Sequence, residues 1–300
     1  MGNVFAVIKP MLHGIMKVIG MTSKLVEIEP GTTLHLWVPI HHNPNNKTKP
    51  AVVFLHGFVA NGIMTWLFQM ISLRTSFAVY VPDLLFFGDS FTHRPERSTS
   101  FQAHCLAKAM MKLGVEKFSL VGFSYGGMVG FKLAQLYPHM VESMVMSSTV
   151  IEMTESISNA SLKNINGFTT WADLLLPKTI TDLKVLLSIG SHKFPWFPQF
   201  FYRDFLEVMF GNRKEKEELL EALVVSDKDA TITDPNYSQR IYLLFGDDDK
   251  IFNQAISNTM KAKLGGNTTL EYIKRAGHLV QLERPCTYNH SLKKFLSYSS

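Results

Sequence analysis

The chain is 300 residues long, 46% hydrophobic and only 18% charged, which is enough apolar material for one large domain or two small ones and too much for a disordered chain. Its formal charge of +5 comes from scattered Lys and Arg with no basic run interleaved with stacking aromatics, so nucleic acid is excluded as the expected partner. Cys105 and Cys286 lie far apart without metal-ligand spacing, which predicts free thiols in a reducing, cytoplasmic compartment and no bound metal.

Residues 1–20 are apolar, but Lys9, Pro10, His13 and Lys17 interrupt them and leave neither a signal-peptide core nor a bilayer span. They read as an amphipathic segment that covers the body of the fold, with peripheral contact to a membrane as the competing reading. Runs 25–28 and 33–38 flank Pro30-Gly31 and alternate, which predicts an antiparallel hairpin. A polar loop rich in Asn and Pro follows at 41–50. Ala51-Val52-Val53-Phe54-Leu55 is short, wholly apolar and β-rich, the pattern of a strand buried on both faces, and it ends in His56-Gly57-Phe58.

A helix is predicted at 62–72, a second buried strand at 77–81 ending in Pro82-Asp83, a helix at 98–113 and a strand at 118–121. Val121-Gly122-Phe123-Ser124-Tyr125-Gly126-Gly127 then leads into a helix that runs to 136, before Pro138. Strands at 143–147, 240–245 and 269–273 and a last helix at 288–295 complete the pattern. The long interruption at 150–234 holds Trp171, Phe194, Trp196, Phe197, Phe201 and Phe205 among other aromatics, too many for a loop, which predicts helices packed over a pocket. Within it, the charged run 213–221 reads as a solvated helix face.

Strands alternating with helices imply a mostly parallel sheet, whose site lies beyond the carboxyl ends of the strands. His56, Asp83, Ser124, Asp249 and His278 each follow a predicted strand. Gly122-x-Ser124-x-Gly126 has the spacing of a nucleophile elbow, in which a serine sits on a turn so tight that only small residues fit two positions to either side. The helix that starts there aims the free N–H of Tyr125 at any oxyanion formed beside the serine. His278, in Arg275-Ala276-Gly277-His278 after the final strand, is placed to act as the base; His13, His41, His42 and His93 read as solvated.

On His56-Gly57-Phe58, Pro82-Asp83 through Gly88-Asp89-Ser90, Gly122-Phe123-Ser124-Tyr125-Gly126-Gly127, Gly246-Asp247-Asp248-Asp249 and Gly277-His278, the chain resembles the α/β-hydrolase superfamily. Within it, the likeness is to plant-type members of monoacylglycerol-lipase-like or carbon–carbon-bond-hydrolase-like kind. The resemblance implies an eight-stranded, mostly parallel sheet flanked by helices, with a core at 21–149 and 235–300 and an inserted helical cap at 150–234. It implies Ser124 as nucleophile, His278 as base and Asp249, rather than Asp247 or Asp248, as the acid that orients the histidine. It implies the backbone N–H of Phe58 as the second oxyanion donor beside Tyr125, and no cofactor. His56 and Asp83 are expected to hold loops.

The expected reaction is cleavage of a small to medium hydrophobic ester through an acyl-enzyme. Hydrolysis of a carbon–carbon bond or a lyase-type reaction on the same residues stays open, as does a ligand receptor on a hydrolase scaffold. Monomer and homodimer are equally compatible with the sequence.

Overall fold

The computed structural model describes residues 2–40, 49–165, 167–230 and 237–297. The polar loop expected at 41–50 and the domain boundary expected at 234/235 fall largely outside them.

An apolar strand with no solvent-facing side belongs in the middle of a sheet, and β3 (Ala51–Leu55) lies there, parallel to both β4 (Ala78–Pro82) and β6 (Phe118–Phe123). The parallel run continues through β7 (Val141–Ser147), β8 (Arg240–Gly246) and β9 (Thr268–Ile273). At the other edge, β1 (Met21–Glu29) and β2 (Thr32–Pro39) form the expected hairpin, pairing Val26 with Leu34, and β2 joins β4 antiparallel. The eight expected strands thus lie on one path, in the order β1-β2-β4-β3-β6-β7-β8-β9. A two-residue strand, β5 (Phe91–Thr92), adds a ninth beside β2; it is too short to carry a sequence signal.

Helices cover both faces. α3 (Thr99–Lys112) and α4 (Tyr125–Leu136) pack on one, where Leu106, Met110, Val129 and Phe131 join the core. α2 (Gly62–Leu73) and α12 (Pro285–Ser297) pack on the other with Trp66, Met70, Tyr288 and Leu292. Asn61 caps α2 by accepting from Met64 N, and Ser98 caps α3 by accepting from Phe101 N. Two helices were not anticipated: α10 (Gln254–Leu264), between β8 and β9, which buries only Ser257, Met260 and Leu264 and so shows little apolar stripe, and α11 (Val280–Glu283), a single turn too short to carry a sequence signal.

The amino-terminal segment forms α1 (Phe5–Val18), which buries Phe5, Leu12 and Met16 against the body, the covering arrangement. Val7, Met11 and Val18 on its outer side are exposed. Among the described residues no helix is long and apolar enough to cross a membrane. His13, expected to be solvated, is half-buried: its ring packs edge-on against Trp37, centroids 4.9 Å apart.

Between β7 and β8 the described residues form α5 (Glu155–Asn164), α6 (Trp171–Leu175), α7 (Ile180–Gly190), α8 (Gln199–Met209) and α9 (Arg213–Glu221). This insertion reaches back to the amino terminus, where Val4 N donates to Asp204 Oδ2 at 2.7 Å and Phe5 packs on Phe201 and Phe205. In α9 the structure departs from the sequence reading, because Lys216 is buried rather than solvated.

Candidate active site

β6 ends at Phe123 and α4 begins at Tyr125, so Ser124 alone makes the turn between strand and helix. Its backbone is at φ 52°, ψ −120°, a left-handed conformation that costs a non-glycine residue about 1–3 kcal/mol and persists only where surroundings enforce it. Here the enforcement is visible. Ser124 N donates to Ser147 O at 3.0 Å, and Thr149 Oγ1 donates to Ser124 O at 2.7 Å.

The flanking glycines are required by contact. A Cβ on Gly126 would lie 2.4 Å from His56 O and 2.5 Å from Leu55 O, and one on Gly122 would lie 2.7 Å from Gly127 Cα. Both sets of obstacles are backbone, which cannot yield as a flexible side chain does. Gly126→Ala is therefore expected to lower stability by about 3 kcal/mol or to leave the chain unfolded, as read from urea unfolding.

The partners of Ser124 arrive from two other strand ends. His278 Nε2 lies 3.0 Å from Ser124 Oγ, and His278 Nδ1 lies 3.0 Å from Asp249 Oδ2 and 3.2 Å from Oδ1. Asp249 is further held by Ile251 N and Phe252 N, each donating to Oδ1 at 2.9 Å. The imidazole sits between the rings of Phe123 and Phe252, at 5.1 and 5.6 Å, which restricts its rotation. Both His278 and Asp249 are buried. With a proton on Nδ1 directed at the carboxylate, Nε2 is free to accept from the serine hydroxyl.

The neighbouring aspartates are engaged elsewhere. Asp247 Oδ1 accepts from Ala276 N at 3.4 Å, and Asp248 Oδ2 is 3.0 Å from His192 Nδ1. Of the three, only Asp249 points at His278.

The loop after β3 lies directly against the elbow: a Cβ on Gly57 would meet the Phe123 ring at 2.7 Å and Ser124 Cβ at 3.3 Å. Tyr125 is the first residue of α4, where a backbone N–H has no acceptor within the helix, and among the described residues neither its N–H nor that of Phe58 bonds to the protein. His56 holds this loop from beneath. Its Nε2 accepts from Leu84 N at 2.9 Å, so Nδ1 carries the proton and donates to Gly57 O at 2.7 Å; burial lowers its pKa below the ordinary 6.5 and keeps it neutral. Asp83 fixes the adjacent turn, accepting from Gly62 N at 2.8 Å and lying 2.9 Å from His35 Nδ1.

A carboxylate that sequence reasoning missed ties the site to the insertion. Glu283 Oε2 accepts from Gly277 N at 2.6 Å, while Oε1 accepts from His192 N at 2.9 Å and Lys193 N at 3.1 Å. It thus clamps the turn that carries His278 onto the segment joining α7 to α8. Its only sequence signal is an acidic residue five positions after His278, which does not reveal partners ninety residues away.

Ser124 and His278 open into a cavity of about 770 Å³. Met64, Met128, Met153, Trp171, Leu186 and Phe252 are among its walls, and the insertion contributes Phe197, Phe201 and Phe205. Trp171 is anchored by its indole N–H, which donates to Ser158 Oγ at 2.9 Å. Cationic Lys193 and Arg275 also line it and are exposed. No group of side chains suited to holding a metal ion occurs among the described residues.

Residues 50–285 match the family model for the α/β hydrolase fold. Human epoxide hydrolase 4 is 22% identical over 285 residues, spanning 83% of this chain and 72% of that protein. A 2-hydroxy-6-oxononadienedioate/2-hydroxy-6-oxononatrienedioate hydrolase of Burkholderia vietnamiensis is 25% identical over 92% of this chain and 96% of its own length. Human monoacylglycerol lipase ABHD6 is 25% identical over 79% of this chain and 72% of its own.

Proposed function

Because the chain belongs to the α/β-hydrolase fold family, we propose that it is a serine hydrolase that cleaves a small to medium hydrophobic ester through an acyl-enzyme on Ser124. The observation that carries this reading is the row of hydrogen bonds from Ser124 Oγ through His278 to Asp249, opening into an apolar chamber.

In the first step Ser124 Oγ attacks the ester carbonyl carbon while His278 Nε2 takes the hydroxyl proton and Asp249 stabilises the resulting imidazolium. The carbonyl oxygen becomes an oxyanion within reach of the Phe58 and Tyr125 N–H groups. Collapse breaks the C–O bond, and the proton on His278 passes to the departing alkoxide, giving the alcohol. Water, deprotonated by the same histidine, then attacks the acyl-enzyme and releases the carboxylic acid. Opening an epoxide through a carboxylate nucleophile would need Asp at the elbow, where this chain has Ser124.

The likeness to a monoacylglycerol lipase supports the ester reading, as do the apolar walls around Ser124. Carbon–carbon-bond hydrolysis is the second reading, favoured by likeness over nearly full length to the Burkholderia hydrolase. A panel of p-nitrophenyl esters from acetate to palmitate separates them. Turnover that rises from acetate to a medium chain is expected; no turnover across the panel by folded protein would overturn the ester reading.

A further inference from the structure

A second cavity, of about 460 Å³, backs onto the first. Ala60 and Met64 face both, and Phe87 stands between them, with its ring edge-on to Phe58 at 5.2 Å and tilted to Tyr125 at 6.2 Å. Its outer wall is α1, which lies outside the residues matched by the family model. The volume falls within the range of about 300–1,000 Å³ found for small-molecule sites.

Among its walls is a buried cation, Lys216 of α9. The residue is only 6% exposed, its ammonium donates to Met209 O at 2.6 Å and lies 5.0 Å from the Phe87 ring centre, and it forms no ion pair among the described residues. The contact with Met209 caps the carboxyl end of α8 and occupies one of three N–H donors. Burial, with repulsion from Arg213, pulls its pKa down to about 8, so it is still mostly charged at neutral pH. A buried ammonium without a counter-charge is unfavourable, and an anion placed beside it would relieve that.

The acids in the walls do not supply one. Asp83 is engaged by His35 and Gly62 N, and Asp89 faces Lys9 at 3.5 Å. Lys9, the other cation in the walls, is thus already paired, and the same carboxylates repel a dianion such as phosphate more strongly than a monoanion, so a single negative charge matches the unpaired Lys216. Phe5, Ile8, Leu12 and Phe87 form the apolar part of the remaining walls, beside polar Asn3, His13, Asn61 and Asn212.

We propose that this cavity binds an organic monocarboxylate, whose carboxylate pairs with Lys216 and whose hydrocarbon body lies between α1 and Phe87. The site is separate from the chemistry at Ser124 and goes beyond the hydrolase reading.

Octanoate titrated calorimetrically into the Ser124→Ala chain tests it without turnover. One saturable equivalent is expected that Lys216→Met weakens at least tenfold and Lys216→Arg retains, while neutral octanamide binds both variants alike. Equal octanoate affinity in a folded Lys216→Met chain, or no binding, would overturn the proposal. Because Lys216 also caps α8, a second measurement leaves it in place: crystals of the Ser124→Ala chain soaked in 8-bromooctanoate. The expected result is a bromine signal between α1 and Phe87 with the carboxylate at Nζ; a signal only in the chamber beside residue 124, or none, refutes the site. Both experiments stand whether or not Ser124 is a nucleophile.

Discussion

On the proposed function, Ser124→Ala is expected to lower kcat on a medium-chain p-nitrophenyl ester by about 10^6-fold while leaving the thermal midpoint close to that of the parent chain. The loss is large because the hydroxyl makes and breaks the covalent bond, and no other side chain occupies its position between His278 and the Phe58 loop. The fold is expected to survive because the backbone bonds that enforce the turn, Ser124 N to Ser147 O and Thr149 Oγ1 to Ser124 O, do not involve the hydroxyl. Stopped-flow and steady-state rates beside a melting curve check both halves. An unchanged kcat would remove Ser124 from the reaction.

Asp249→Asn is the second large effect, a fall of about 10^4 in kcat with little change in KM. In the parent chain Asp249 accepts from Ile251 N and Phe252 N at Oδ1 and faces His278 Nδ1 with Oδ2. The two backbone donors require an oxygen at Oδ1, so an asparagine turns its NH2 toward Nδ1. That donor forces the proton onto Nε2, where it faces Ser124 Oγ as a second donor and the histidine can no longer act as a base. Asp248→Asn, whose carboxylate faces His192 instead, is the control and keeps kcat within about threefold. A loss in Asp248→Asn equal to that in Asp249→Asn would show that the geometry at residue 249 is not what matters.

The parts of the fold legible from sequence were those whose signal is local. β3, β4 and β6 are short apolar runs with nowhere to go but the middle of a sheet, and the hairpin announced itself through Pro30-Gly31 between alternating strands. The elbow was legible because its glycines are dictated by contacts within a few residues and with the adjoining loop. By contrast, the choice of Asp249 over its two neighbours came from family likeness. Its physical reason, that Asp247 and Asp248 are occupied by Ala276 N and His192, appears only in three dimensions.

The same limit explains what was missed. Glu283 acts on backbone N–H groups of Gly277, His192 and Lys193, none of which a side-chain pattern displays. Lys216 sits in a run of charges that reads as a solvated helix face, and what packs against it, the end of α8 and Phe87, is distant in sequence or invisible to the pattern. Local periodicity gives the face of a helix but not what the rest of the chain brings to it.

In the proposed function a serine hydroxyl, an imidazole and a carboxylate act together at residue 124. Peptide mass mapping after exposure to a fluorophosphonate tests it most directly, since the reagent bonds only to a serine whose proton a neighbouring base can take. One adduct is expected, on the peptide carrying Ser124, in the parent chain and none in a folded His278→Ala chain. A folded parent chain that carries no adduct, or one carried on a different residue, would contradict it.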